Sequence, residues 1–214
     1  MPYPSKTDRQ TILSAAVKDL ADGDIRDLSL RNLAASLDLA PNAIYRYFSD
    51  RSALEAALAN EAARQLERAL RKAADGCEPV TTIREMSSAY IKFARDNRHL
   101  YEVMMSLHAP EHDATSLQSV WAFTVEQVQR IAGSDRAAQA SVALWAFLHG
   151  AVALEAAHVF GASKPASGLE FGLDAWLTAV STRGEPIEAL RIKPNEKAAN
   201  KKVSARESSV RSGK

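Results

Sequence analysis

Asn42, Tyr45, Arg46 and Tyr47 fall within six consecutive positions of the string LAPNAIYRYFSDRSAL, which begins at Leu39. An amide, a guanidinium and two phenols are the groups that reach the phosphates and base edges of a DNA duplex. Asn42 can pair with a base amide, Arg46 with phosphate or guanine, and the tyrosine hydroxyls with phosphate oxygens. Ala43 is small enough to touch a thymine methyl. Ile44 and Phe48 stand four apart and share one helical face, so they can anchor the segment and leave the polar face free. Pro41 suits a first helical position, because the amide it lacks would be unbonded there. Arg51 opens the next helix, whose N-terminus itself attracts phosphate. Upstream, Ser29 can donate to a phosphate and Arg31 can extend towards a guanine edge. A wholly structural role for the tyrosines is weakened by Arg46 between them, since arginine is a poor core residue.

Helical periodicity runs through the chain, and no stretch alternates as a strand would, so the expected fold is all-α. The first helix is expected to start at a capping box, TDRQ, in which Thr7 and Gln10 satisfy each other's amides. Ile12, Leu13, Ala16, Val17 and Leu20 form its buried stripe, and Gly23 ends it. Ser29 should cap a short second helix with Leu33, Ala34 and Leu37 inward. A tight turn at Asp38–Leu39 leads to the helix opened by Pro41. Ser49 or Asp50 should cap a long fourth helix over 51–74, with Leu54, Leu58, Ala62, Leu66 and Leu70 at helical spacing. Further helices are expected near 80–96, 98–106, 115–132, 135–160 and 167–183. Three short helices with a tight turn between the second and third form a helix-turn-helix, in which the third enters the major groove and the second braces the backbone.

The bulk numbers constrain the class more than the task. The chain has 214 residues, 46% hydrophobic and 25% charged, which is enough for a sizeable core. A net charge of +1 gives no general argument for a nucleic-acid partner. Residues 1–51 hold seven basic and seven acidic side chains, residues 52–183 carry a net −3, and residues 184–214 a net +4. The expected domains follow: a head over 1–51, a body over 52–183 and a basic, disordered tail over 184–214. One cysteine, Cys77, excludes an internal disulfide framework and suits a reducing, cytoplasmic setting. No apolar run approaches the roughly 20 residues of a membrane span, and the start MPYPSKTDRQ is no signal peptide.

At ILSAAVKDLADGD, LSLRNLAASLDLAPNAIYRYF and DRSAL, over positions 9 to 58, the chain resembles the tetracycline-repressor (TetR) family of bacterial transcription regulators. Two positions depart from the family pattern. Asp38 stands where a turn glycine is usual, and aspartate tolerates a left-handed backbone. Ala40 stands where Ser or Thr often caps the third helix, which removes a cap worth about 1 kcal/mol and a phosphate donor. The resemblance implies a dimeric DNA-binding regulator, a repressor, released from a palindromic operator when a small molecule enters its body and shifts the fourth helix. It also implies that the last two helices form the dimer. Stripes of small residues fit that role: Gln139, Ala143, Ala146, Gly150, Ala153 and Ala157 on one, Gly168, Gly172, Ala175 and Ala179 on the other. The alternative is that the stripes pack inside one subunit.

LWAFLHGAVALE at 144–155 and NRHLYEVMM at 97–105 resemble the C-terminal domain of a subgroup recognised by Trp, His and Gly, here Trp145, His149 and Gly150. Trp145 and His149 share a face with Val152 and Ala156. With Tyr90, Met104, Met105, Trp121 and Phe123 they are expected to line an apolar pocket with one polar handle. The other reading makes Trp145 plain core and His149 a satisfied buried histidine.

Other chemistries are weaker. HAPEH at 108–112 formally fits H-x-x-E-H, yet Pro110 would break the helix on which His108 and His112 must share a face. An adventitious metal site from His108, His112 and Asp113 is the remaining form of that idea. Cys77 has no evident base partner, and neither a Gly-rich phosphate loop nor a Ser/His/Asp constellation is visible. No catalytic site, metal or cofactor is therefore expected. The competing class is a helical ligand-binding or scaffold protein whose head does not bind DNA, which the neutral head favours.

Overall fold

Asp8, and not Thr7, caps the first helix: its carboxylate accepts the amide of Thr11 at 2.7 Å. The two residues are adjacent and both are good caps, so a single Asp8 cap one position on replaces the expected box. The computed structural model describes residues 7–23, 28–106, 115–159 and 166–182. Among them are nine helices and no strand: α1 (Arg9–Asp22), α2 (Leu30–Ser36), α3 (Pro41–Ile44), α4 (Arg51–Ala74), α5 (Pro79–Asp96), α6 (Arg98–Met105), α7 (Thr115–Ala132), α8 (Ser134–Ala156) and α9 (Ala166–Ser181). The loop carrying His108, His112 and Asp113 lies outside the described residues, as does the tail over 184–214.

The head helices are held from one side. Ile12, Leu13, Ala16, Leu20, Leu33, Ala34, Ile44 and Phe48 are all buried. Val17 and Leu37 are half-buried at the margin of the same stripe. Ser29 caps α2 by accepting the Asn32 amide at 3.4 Å. Asp50 caps α4, its carboxylate accepting the Ala53 amide at 2.8 Å.

α4 is the spine of the molecule. Its 24 residues span about 36 Å at helical rise. Leu54, Leu58, Ala62, Leu66 and Leu70 are buried along it, and α1, α5, α6 and α7 all pack against it. One apolar core runs from Ile12 on α1 to Val180 on α9, so head and body share it.

α8 corrects one expectation. By length and composition it could cross a membrane, with a mean hydropathy of 1.5, and only a third of that window is buried. From Ala137 to Leu154 it carries no Asp, Glu, Lys or Arg, although Gln139, Ser141 and His149 interrupt the apolar run. Leu144 and Leu148 turn into the core, while Val142, Ala143, Ala146, Ala153 and Leu154 are exposed. α9 is fastened to α8 by three kinds of contact. Trp176 Nε1 donates to the Ala140 carbonyl at 3.1 Å. The Arg136 guanidinium donates to the Val180 carbonyl at 2.7 Å and so serves the free end of α9. Gly172 lies under the Phe147 ring so closely that a Cβ there would stand 2.4 Å from it.

Candidate nucleic-acid interface and body cavity

The turn between α2 and α3 is built by backbone bonds that need a left-handed residue. The Leu39 amide donates to Ala34 O at 2.9 Å and the Asp38 amide to Ala35 O at 3.1 Å. This is a Schellman ending with Asp38 at φ 53°, in the position where glycine is commonest. α3 follows with Pro41 at its first position and no side-chain cap from Ala40. It is shorter than the sequence suggests: regular helix stops at Ile44, and residues 45–47 continue as turns, with the Arg46 amide on Ala43 O at 3.3 Å.

Ile44 and Phe48 are buried, and the Arg9 guanidinium covers the Phe48 ring at 4.7 Å. Arg31, Ala40, Pro41, Asn42, Tyr45, Arg46 and Arg51 are exposed, and Ser29, Ala43 and Tyr47 half-buried. Arg31 and Arg46 have no ion-pair partner among the described residues, whereas Arg51 pairs with Glu55 at 2.7 Å. The Tyr47 hydroxyl differs from the expectation of a phosphate donor. It donates to the Thr7 carbonyl at 2.9 Å and ties α3 to the start of α1. A half-buried phenol satisfies its proton within the protein when a carbonyl is in reach.

In the body, a cavity of about 30 Å³ is lined by Leu70, Ile83, Met86, Ser87, Tyr90, Val120, Thr124, Leu144, Trp145 and Leu148. Of the residues expected there, Tyr90 and Trp145 line it. Trp121 packs against Trp145 at a tilt of 39°, with ring centres 5.9 Å apart. His149 reaches the cavity through a relay: its Nδ1 is 2.7 Å from the Tyr101 hydroxyl, which is 2.7 Å from that of Tyr90. Phe123 is buried beneath the Arg71 guanidinium, 4.2 Å from its ring centre. Met104 is buried and Met105 half-buried, and neither lines the cavity. Burial pushes the phenols of Tyr90 and Tyr101 well above the ordinary tyrosine value, so both are neutral hydrogen-bonding groups. Ser87 and Thr124 escaped the sequence reading, although Ile83, Met86, Ser87 and Tyr90 share the i, i+3, i+4, i+7 spacing of one helical face. Tyr101 sits inside the quoted NRHLYEVMM string but was not singled out.

The stripes of small residues separate. Ala143, Ala146, Ala153, Ala157, Gly168, Ala175 and Ala179 are exposed, while Gly150 is half-buried. Gly172 faces Phe147 of its own subunit, as the within-subunit reading has it. Among the described residues, Val142 and Leu154 on α8, Val159 just after it and Phe171 on α9 are exposed large apolar side chains, the last 76% exposed. Among the described residues no group of His, Cys, Asp and Glu could hold a metal ion.

A helix-turn-helix head on a helical body with an internal cavity is the design of a DNA-binding regulator. Residues 12–58 match the family described as bacterial regulatory proteins, tetR family, and residues 83–175 the tetracyclin repressor-like C-terminal domain. Together the two matches take in most of the chain. It belongs to the TetR family of transcriptional regulators, and regulators of this family bind DNA and are not enzymes.

Solved structures agree on the fold. A protein of unknown function from Rhodococcus sp. RHA1 is 23% identical, with a TM-score of 0.73, over 85% of this chain and 100% of its own. A possible TetR family transcriptional regulator from Streptomyces coelicolor A3(2) is 19% identical, with a TM-score of 0.62, over 80% and 98%. A TetR variant from Acinetobacter baumannii AYE, in complex with minocycline, is 19% identical, with a TM-score of 0.56, over 81% and 96%. At these identities the likeness concerns the fold alone. No curated protein matches the chain in sequence.

Proposed function

We propose that this regulator is a repressor that binds a palindromic operator as a homodimer and is released when a small molecule enters the body cavity. The observation that carries the reading is the two-sided α3 segment: Ile44 and Phe48 are buried while Asn42, Tyr45 and Arg46 are exposed. A head of this kind binds one half-site, and the two-fold symmetry of a palindrome is met by a second copy. The apolar flank of α8 and α9 supports pairing, since a patch of this character on a regulator marks an association surface. The ligand part is supported by the cavity beside α4 and by the minocycline complex of the Acinetobacter relative. Leu70, near the end of α4, lines that cavity. A ligand pressing there would tilt α4 and change the separation of the two recognition segments. Half-sites lie about 34–36 Å apart, so a few ångströms of spread weaken binding. The coupling is reciprocal, and operator DNA weakens the ligand by the same factor.

The test is selection of bound duplexes from a random pool, with a palindrome as the expected product. The competing reading, a helical scaffold whose head does not bind DNA, is favoured by one fact: residues 1–51 carry no net charge. A salt series on a random duplex separates the two. A DNA binder loses affinity steeply as salt rises, whereas a scaffold shows no binding at any salt.

A further inference from the structure

The body cavity offers hydrogen-bond acceptors and no charge, and from this we infer the class of its ligand: an uncharged, mainly apolar, ring-sized molecule carrying one hydroxyl or N–H donor, such as a phenol. The inference rests on the reading of this cavity as the effector site. None of the ten lining residues is charged. An ionised ligand would lose its hydration there without a counter-ion, which is far costlier than burying a neutral one.

The polar lining consists of three hydroxyls and the Trp145 indole N–H, and the indole proton is engaged by the Tyr90 oxygen. Ser87 Oγ donates to Ile83 O at 2.7 Å, and Thr124 Oγ1 donates to Val120 O at 2.9 Å. Both protons serve the preceding helical turn, so what these oxygens have left is lone pairs. Tyr90 follows from the relay. In the tautomer whose Nδ1 accepts, His149 takes the Tyr101 proton, and Tyr101's own oxygen is then open only as an acceptor. In that arrangement Tyr90 donates to Tyr101 across their 2.7 Å contact. Its oxygen already accepts from the Trp145 indole N–H, so the acceptors left open to a ligand are chiefly those of Ser87 and Thr124. A neutral ligand with only acceptors would place oxygen against oxygen, whereas one with a donor completes the set. Apolar walls and the Trp145 face favour a flat ring, and since the cavity of about 30 Å³ is smaller than a ring, entry requires side chains such as Met86 to move.

The test uses the full-length chain and three rings of similar size: phenol, anisole and benzoate. Binding is followed by tryptophan fluorescence and by chemical-shift changes in the Trp145 indole, with operator release followed separately by anisotropy. Phenol is expected to bind, anisole about three- to tenfold more weakly, in line with one neutral hydrogen bond, and benzoate not measurably at neutral pH. Thr124→Val, nearly isosteric, and Ser87→Ala should each lower phenol affinity while leaving anisole unchanged. Benzoate or anisole binding as well as phenol, or both variants binding phenol unaltered, overturns the ligand class and leaves the effector site standing. Binding of phenol without any loss of operator affinity supports the class and refutes the effector reading. Failure of all three rings to perturb Trp145 overturns both.

Discussion

Arg31 and Arg46 are exposed cations with no carboxylate partner among the described residues, so either can engage phosphate without first breaking an ion pair. Alanine at either position should weaken operator retention measurably while size-exclusion profiles remain those of the parent. The salt series then says what each one touches. Removal of a phosphate contact lowers the salt slope by about one, whereas removal of a guanine contact costs about 1–3 kcal/mol and relaxes sequence preference. Tyr47 belongs to another category because its proton is given to Thr7. Tyr47→Phe should reduce stability by about 1 kcal/mol, seen as a lower melting temperature by about 2–4 °C in a chain of this size. An unchanged melt together with lost operator binding would return Tyr47 to the DNA-facing set. The sequence announced which residues could serve a duplex, but it could not reveal that a carbonyl forty positions away would claim one of the hydroxyls.

The helices themselves were almost wholly legible. Most of their ends fall within two residues of the periodic pattern, because caps and apolar spacing are local properties. What escaped was tertiary or averaged. Tyr90, Tyr101 and His149 meet across three helices, and nothing in their spacing announces it. The apolarity of α8 escaped because polar but uncharged residues break its run without changing its character. Two predictions belong at this scale. Gly172→Ala would force the Phe147 ring outward from beside α9, and overpacking of this kind costs about 1–3 kcal/mol. A lower melting temperature and faster amide exchange in α9 are expected, despite alanine's better helix propensity. Glu67 joins α4 to α7: its carboxylate accepts from Arg71 at 2.7 Å and from Ser119 at 2.8 Å. Burial alone would raise its pKa, but the donated bonds outweigh that and hold it below the ordinary value of 4.5. A depressed carboxylate contributes stability that is complete above the unfolded value and lost as pH falls through the folded one. Glu67→Gln should therefore melt lower near neutral pH, by no more than about 1 kcal/mol for so partly solvated a pair. The gap to the parent should close as the pH drops below 4.5, and a gap that persisted in acid would remove the carboxylate from the account.

Among the described residues, one core connects the cavity to the head, and one apolar flank on α8 and α9 is exposed. Leu154→Arg or Phe171→Glu is expected to give monomers in sedimentation equilibrium, with folding intact and operator affinity reduced at least tenfold. Dimers that persist in both would place the pairing surface elsewhere. The flank also ties action to abundance. On the proposed reading, pair formation rises with the square of the number of single copies, so a cell holding few of them would leave its target genes almost unguarded. With that pairing, a modest increase in synthesis would tip most copies into working pairs, and copies left single would offer a greasy side to proteases. Dosage would then be sensed steeply, before any chemical signal arrives.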